Sequence, residues 1–242
     1  MITTDENKIL QKKTIETYCD KYKITGEQRK VLFLLSVDRE MWRIEGLAEL
    51  AELKEPKTTH ILNTVLIVDP SEKVRAITAS VLGVLRDKAS IPFLKATILY
   101  DNSFFAGIRA TKALTEFTGP SIIPFFTNIL LHNPKLERRF RAIEGLRAIK
   151  TEPTTDILRA LEKAFLDDPS EDIRETAAKM LGDIGDKHTL LTLISHTVTK
   201  NLQEPSKDVQ KAALLAAHKI AKRLNLSQER DNIENRIKKN NI

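Results

Sequence analysis

Residues 69–87 read DPSEKVRAITASVLGVLRD, and residues 168–186 read DPSEDIRETAAKMLGDIGD. The two segments share the frame D-P-S-E-x-(V/I)-R, followed seven residues after the Arg by Leu-Gly and then by a closing Asp. Anchoring on that Leu finds weaker copies at Leu47, Leu82, Leu114, Leu146 and Leu181, with Ala217 in the equivalent place of a sixth. The intervals are 35, 32, 32, 35 and 36 residues. A period this regular is the mark of a repeat array and outranks any local reading of the chain.

Each repeat reads as two helices. The first opens on a small or turn residue with a Pro in its first turn, as in ASIPFLKATILY and PSIIPFFTNILL. Pro is tolerated there because an N–H of the first turn has no helical partner to lose. Ile157, Leu158, Leu161 and Phe165 fall at helical spacing, and Ile91, Leu94 and Ile98 match them in an earlier repeat. The second helix follows a short turn, with Ser71 and Ser170 placed to cap it. Val74, Thr78, Leu82 and Leu85 form its apolar stripe. Gly46 and Gly145 precede the anchor Leu, and Gly83 and Gly182 follow it. A Gly inside a helix costs about 1 kcal/mol, so its recurrence at one place suggests that helix backbones approach closely there.

These residues resemble the HEAT-like repeat family in its short, bilin-lyase-type form, which carries V-R-x-x-A-A-x-x-L-G in the second helix. The resemblance spans roughly residues 25–224 and is strongest around Arg75 and Arg174, fair around Arg139. Elsewhere the Arg position holds Glu40, Gly107 and Gln210. It implies an all-α fold, a right-handed α-solenoid of about six helix pairs, with first helices convex and second helices lining the concave side. Residues 1–24 are expected to form an extra N-terminal helix, and residues 225–242 a basic C-terminal capping helix or tail.

Composition agrees with a folded helical chain. Of 242 residues, 41% are hydrophobic and 30% charged, which excludes a disordered or collagen-like chain. Eight Gly and nine Pro are too few for the many tight turns of an all-β fold. No apolar run reaches bilayer length, and the start, MITTDENKIL, lacks signal-peptide character, so no membrane association is expected. The single cysteine, Cys19, forbids an internal disulfide, and a cytoplasmic location is the expectation. On the stripe of Ile15, Tyr18 and Tyr22 it reads as a buried, inert thiol. The net charge of +6 is mostly an end effect: residues 37–205 carry 23 basic and 24 acidic groups, residues 206–242 carry 9 and 4. A basic final helix more often serves solubility and the helix dipole than nucleic acid.

No catalytic constellation is found. His60, His132, His188, His196 and His218 form no HExxH, and no two share the spacing of one helix face, so neither a metal nor another cofactor is expected. The His-Glu dipeptides of iron-dependent hydroxylases built on similar repeats are missing. Nucleotide-binding and hydrolase signatures are missing too. Arg75, Arg139 and Arg174 suit structural bonds to carboxylates and carbonyls at inter-helix turns, Asp69 and Asp168 among them.

Positions two, five and nine after the Arg should face the concavity. They include Trp42, Ile77, Arg109, Lys112 and Arg141, interspersed with Glu45, Glu49, Glu116, Glu144 and Asp183. Phe105 adds an aromatic surface at the mouth of the central pair. Trp, aliphatic side chains and Arg are the composition of a protein-binding hot spot. The competing account makes Trp42 and Phe105 core residues displaced by an error of register. The expectation is a non-catalytic scaffold or adaptor that binds a protein or peptide on its concave face through Trp42, Ile77, Phe105, Arg109, Lys112 and Arg141. The alternative is a nucleic-acid-binding protein resembling the DNA-alkylation-repeat glycosylases, with the same cations on phosphates, against which the groove carboxylates stand. An accessory role like that of bilin lyases ranks third.

Overall fold

The computed structural model describes residues 11–54, 56–116, 121–149, 154–198, 204 and 206–239. All regular structure among them is helical, with no strand. The chain divides into two compact units, Met1–Gly119 and Pro120–Ile242. The first holds α1 (Lys12–Tyr22), α2 (Gly26–Leu34), α3 (Glu40–Leu53), α4 (Thr59–Val68), α5 (Glu72–Leu85), α6 (Ile91–Tyr100) and α7 (Phe104–Thr115). The second holds α8 (Ile122–His132), α9 (Leu136–Ala148), α10 (Thr155–Asp167), α11 (Glu171–Ile184), α12 (Lys187–Val198), α13 (Lys207–Arg223) and α14 (Ser227–Lys239).

Helices pair as the period demands: α2 with α3, α4 with α5, α6 with α7, α8 with α9, α10 with α11, α12 with α13. Within each unit second helices also pack on second helices, α3 on α5 on α7 and α9 on α11 on α13. Leu94 and Ile98 in α6, and Ile157, Leu161 and Phe165 in α10, are buried as their spacing required. At the chain ends α1 covers residues 12–22 of the expected N-terminal helix, whose residues 1–10 lie outside the described residues. Of the C-terminal segment 225–242, Ser227–Lys239 form α14, which packs on α13 with Ile233 buried, and residues 240–242 lie outside the described residues. No described helix is long and apolar enough to cross a membrane.

Within each unit an arginine binds each pair to the next. Arg75 in α5 forks onto Asp101 at the end of α6, Nε to Oδ2 at 2.8 Å and Nη2 to Oδ1 at 2.9 Å, while Nη1 donates to the carbonyls of Asp69 and Pro70. Arg139 in α9 repeats the fork on Asp168, and Arg174 in α11 on Glu204. Each carboxylate also accepts a backbone N–H two residues on, from Ser103, Ser170 and Ser206. The arginines thus serve structure, as their type and placement indicated.

The first repeat departs from its expected register. Arg43, not Glu40, holds the arginine position: its fork on Asp69 spans 2.9 and 3.2 Å, and its Nη1 reaches the carbonyls six and five residues back, Val37 and Asp38. The corresponding leucine is then Leu50. Leu47 and Leu50 are both fully buried, so apolar spacing alone does not separate the two registers. In α7 the position is held by Gly107, which has no side chain to make such a fork. Gln210 in α13 keeps part of the pattern by donating to the Glu204 carbonyl.

Caps and close approaches complete the frame. Ser71 accepts the Val74 N–H, as expected, but Ser170 makes no side-chain cap; its turn is held by Asp168 accepting the Ser170 N–H. The recurrent glycines mark contact, as their position suggested. A Cβ on Gly83 would lie 3.0 Å from Ala113 Cα, and one on Gly182 2.8 Å from Ala216 Cα. Gly182→Ala gains about 1 kcal/mol of helix propensity but forces the α11 and α13 backbones apart, at about 1–3 kcal/mol. The contact is with backbone, which cannot swing aside, so a net fall in the urea midpoint is expected.

Glu204 sets an acid limit on the second unit. Burial alone would raise its carboxyl, but the Arg174 hydrogen bond, the Ser206 N–H and the Arg174 and His196 charges outweigh it and hold the group below its ordinary value. A carboxyl so depressed stabilises the fold above its unfolded pKa, and the contribution is lost as pH falls through the lower folded value. Glu204→Gln is expected to cost about 2–4 kcal/mol at pH 7. The gap from the unaltered chain should close below about pH 4, followed by urea unfolding across pH.

Candidate functional site

The exposed face of α3, α5 and α7 follows from what those helices bury. Val74, Thr78 and Leu82 face the interior of the first unit, and so do Ala106, Ala110 and Leu114. A 3.6-residue period then turns Ile77, Ser80 and Val84 of α5 outward, with Arg109, Lys112 and Glu116 of α7. On α3 the corrected register puts Glu45, Ala48 and Glu52 there. The close contact at Gly83 and Ala113 joins α5 and α7 into one surface.

Two hollows adjoin on this face, sharing Ser80 and Arg109. One, of about 400 Å³, is walled by Ile44, Ala76, Ile77 and Phe105. The other, of about 590 Å³, has Gly83 and Ala113 in its lining and is ringed by Lys54, Arg86, Arg109 and Lys112. Arg86 pairs with Glu116 at 2.6 Å. Lys54, Arg109 and Lys112 have no ion-pair partner among the described residues, while Glu72 and Lys73 complete the lining of the apolar hollow and Glu116 that of the other. Ser80 is the only hydroxyl lining either hollow among the described residues, and it donates to the Ala76 carbonyl. Such a surface is equipped to hold an apolar side chain next to negative charge.

Of the residues singled out from sequence, Ile77, Phe105, Arg109 and Lys112 come together here. Phe105 is 67% exposed and is no core residue. Trp42 is 44% exposed but lines neither hollow; one residue before Arg43, it stands in the register of the buried Val74 and Ile173. Arg141 lies in the second unit and is only 2% exposed, so it presents no guanidinium to a partner. Cys19 is fully buried and its thiol is pushed up by that burial, in keeping with an inert group.

Sequence reasoning missed Lys54 and Arg86. Both are C-caps in the left-handed region, with φ of 47° and 53°, at the ends of α3 and α5. A non-glycine residue following the last apolar residue of a repeat helix was the available signal. It also missed a cluster in the second unit, where Glu162, Asp186 and His188 bring ligand atoms within 4.8 Å of one another from two helices and a turn. There Glu162 accepts the Thr189 hydroxyl and Asp186 caps the Thr189 N–H, which gives both carboxylates a structural use.

Neither protein-family models nor curated proteins give a match to this chain. The site therefore rests on its own geometry. Lys54→Gly relieves a left-handed lysine while removing a cation from the rim. It is expected to raise stability by about 0.5–1 kcal/mol, seen as a higher melting midpoint.

Proposed function

We propose that the chain is a HEAT-like α-solenoid that works as a non-catalytic binding scaffold, holding a protein or peptide segment on the face of α3, α5 and α7. The observation that carries this reading is the adjacency of the two hollows, an exposed Phe105 and half-buried Ile77 beside Arg109 and Lys112. Aromatic and arginine side chains on a surface of this kind are the usual centres of binding energy. The arginine forks and the six helix pairs support the repeat architecture, since each pair needs a neighbour to cover it. A partner segment that fits would place an apolar side chain against Phe105 and Ile77 and a carboxylate near Arg109.

Lys54, Arg109 and Lys112, which form no ion pair among the described residues, also favour a second reading, contact with nucleic-acid phosphates. Glu45, Glu52, Glu72 and Glu116 share that face and would repel a backbone of closely spaced negative charge. A cytoplasmic location belongs to the same proposal and follows from the lone cysteine.

Affinity capture from the source organism's lysate, with and without nuclease, tests the reading. A Phe105→Ala/Arg109→Glu variant runs beside the unaltered chain. The expected result is a protein partner that survives nuclease and is lost with the variant, whose affinity should fall by about 2 kcal/mol or more, roughly thirtyfold. Partners that vanish with nuclease, and binding that falls steeply with added salt, would favour nucleic acid instead.

A further inference from the structure

The other helix layer of the first unit carries a hollow that the scaffold reading does not use. It has about 390 Å³ and lies among α1, α4 and the start of α6. Its walls are aromatic. Tyr18 and Tyr22, one turn apart on α1, have ring centroids 4.4 Å apart, and Tyr18 stacks on His60 of α4 at 5.6 Å. Phe93 of α6 lines the same space. Tyr18 is fixed there by donating its hydroxyl to the Lys57 carbonyl. Burial pushes its phenol up to about 12, with Tyr22, Cys19 and Asp87 adding to the effect, so the ring stays neutral and its proton stays committed.

Two polar side-chain atoms beside this hollow are buried without partners among the described residues. Asn63 and Thr59 line it and are each 2% exposed, and Asn63 Oδ1 and Thr59 Oγ1 find no hydrogen-bond partner among the described residues. Buried polar atoms are normally satisfied. Asp87, also on the wall, accepts the Ala89 N–H through Oδ1 at 2.9 Å, and no described lysine or arginine pairs with it. Faces of aromatic rings attract cations; Lys21 Nζ already sits 5.0 Å from the centroid of Tyr22. Lys57, lining the hollow, and Lys21, beside Tyr22, are the described groups whose charge opposes a cation there.

We propose that this hollow is a binding site for a small alkylguanidinium cation, its flat head against the Tyr22 and His60 rings and its N–H groups directed to the Asp87 carboxylate. A guanidinium suits the site better than an ammonium because it is planar, stacks on rings and carries five donors in one plane. The alkyl tail lies along Phe93.

Calorimetric titration of the full chain with n-butylguanidinium, beside the neutral n-butylurea of the same shape, tests the site. Saturable binding of the cation is expected, at least about tenfold tighter than the urea. Asp87→Asn keeps the helix cap and is expected to weaken binding about tenfold. Tyr22→Ala should weaken it too, and Lys57→Gln should tighten it. Arg109→Glu, on the other face, should leave it unchanged. Equal binding of the urea, an unaltered affinity in both Asp87→Asn and Tyr22→Ala, or no saturation up to about 10 mM would overturn the proposal.

Discussion

A guanidinium forked onto a carboxylate, taken almost out of water, is the interaction on which the rest of this chain depends. Arg43 with Asp69 and Arg139 with Asp168 are each less than a tenth exposed on both sides. An ion pair so placed adds little net stability over well-packed apolar groups, because desolvation cancels much of the attraction. Its effect is on register. Two N–H groups meet two carboxylate oxygens, and the remaining Nη1 meets two carbonyls five and six residues back. A slip by one residue would leave a buried charge unpaired, which costs far more than the pair contributes. The fork therefore fixes where each second helix meets the next pair.

From that register the face of the first unit follows. With Arg43 turned to Asp69 and Arg75 to Asp101, the residues two, five and nine positions on point away from the buried stripe. Glycine at 83 lets α5 and α7 approach at Ala113, so that Ile77, Phe105 and Arg109 sit on one continuous surface. The same geometry leaves Lys54 and Arg86, capping the ends of α3 and α5, at its rim. The buried sides of these helices carry the packing, and their opposite sides carry the proposed binding face.

Much of the fold was legible because a repeat states its instructions several times. The DPSE turn, the Arg and the Leu-Gly recur, and the helix pairs fall where the period places them. The purpose of Arg75, Arg139 and Arg174 was legible too, since a buried-side arginine near a turn has few other uses. The first repeat was misread because Leu47 and Leu50 both satisfy a helical stripe, and only the partner of Arg43, 26 residues away, tells them apart. Arg141 was misplaced for a related reason: a helical face is inferred from angle, whereas burial depends on what lies over it.

The sequence by itself determined that the chain is helical, that its helices come in pairs at a regular interval, and which side of each helix is apolar. These are local properties, set by spacing, caps and glycine over a few turns. Only the tertiary structure decided which residues share a surface. It brought Phe105 and Ile77 to one wall, gathered Tyr18, His60 and Asp87 around another hollow, and left the Asn63 and Thr59 oxygens buried without hydrogen-bond partners among the described residues. Those groupings join residues tens of positions apart, and no periodicity within a helix encodes them. They arise when the forks and close contacts lock neighbouring pairs together.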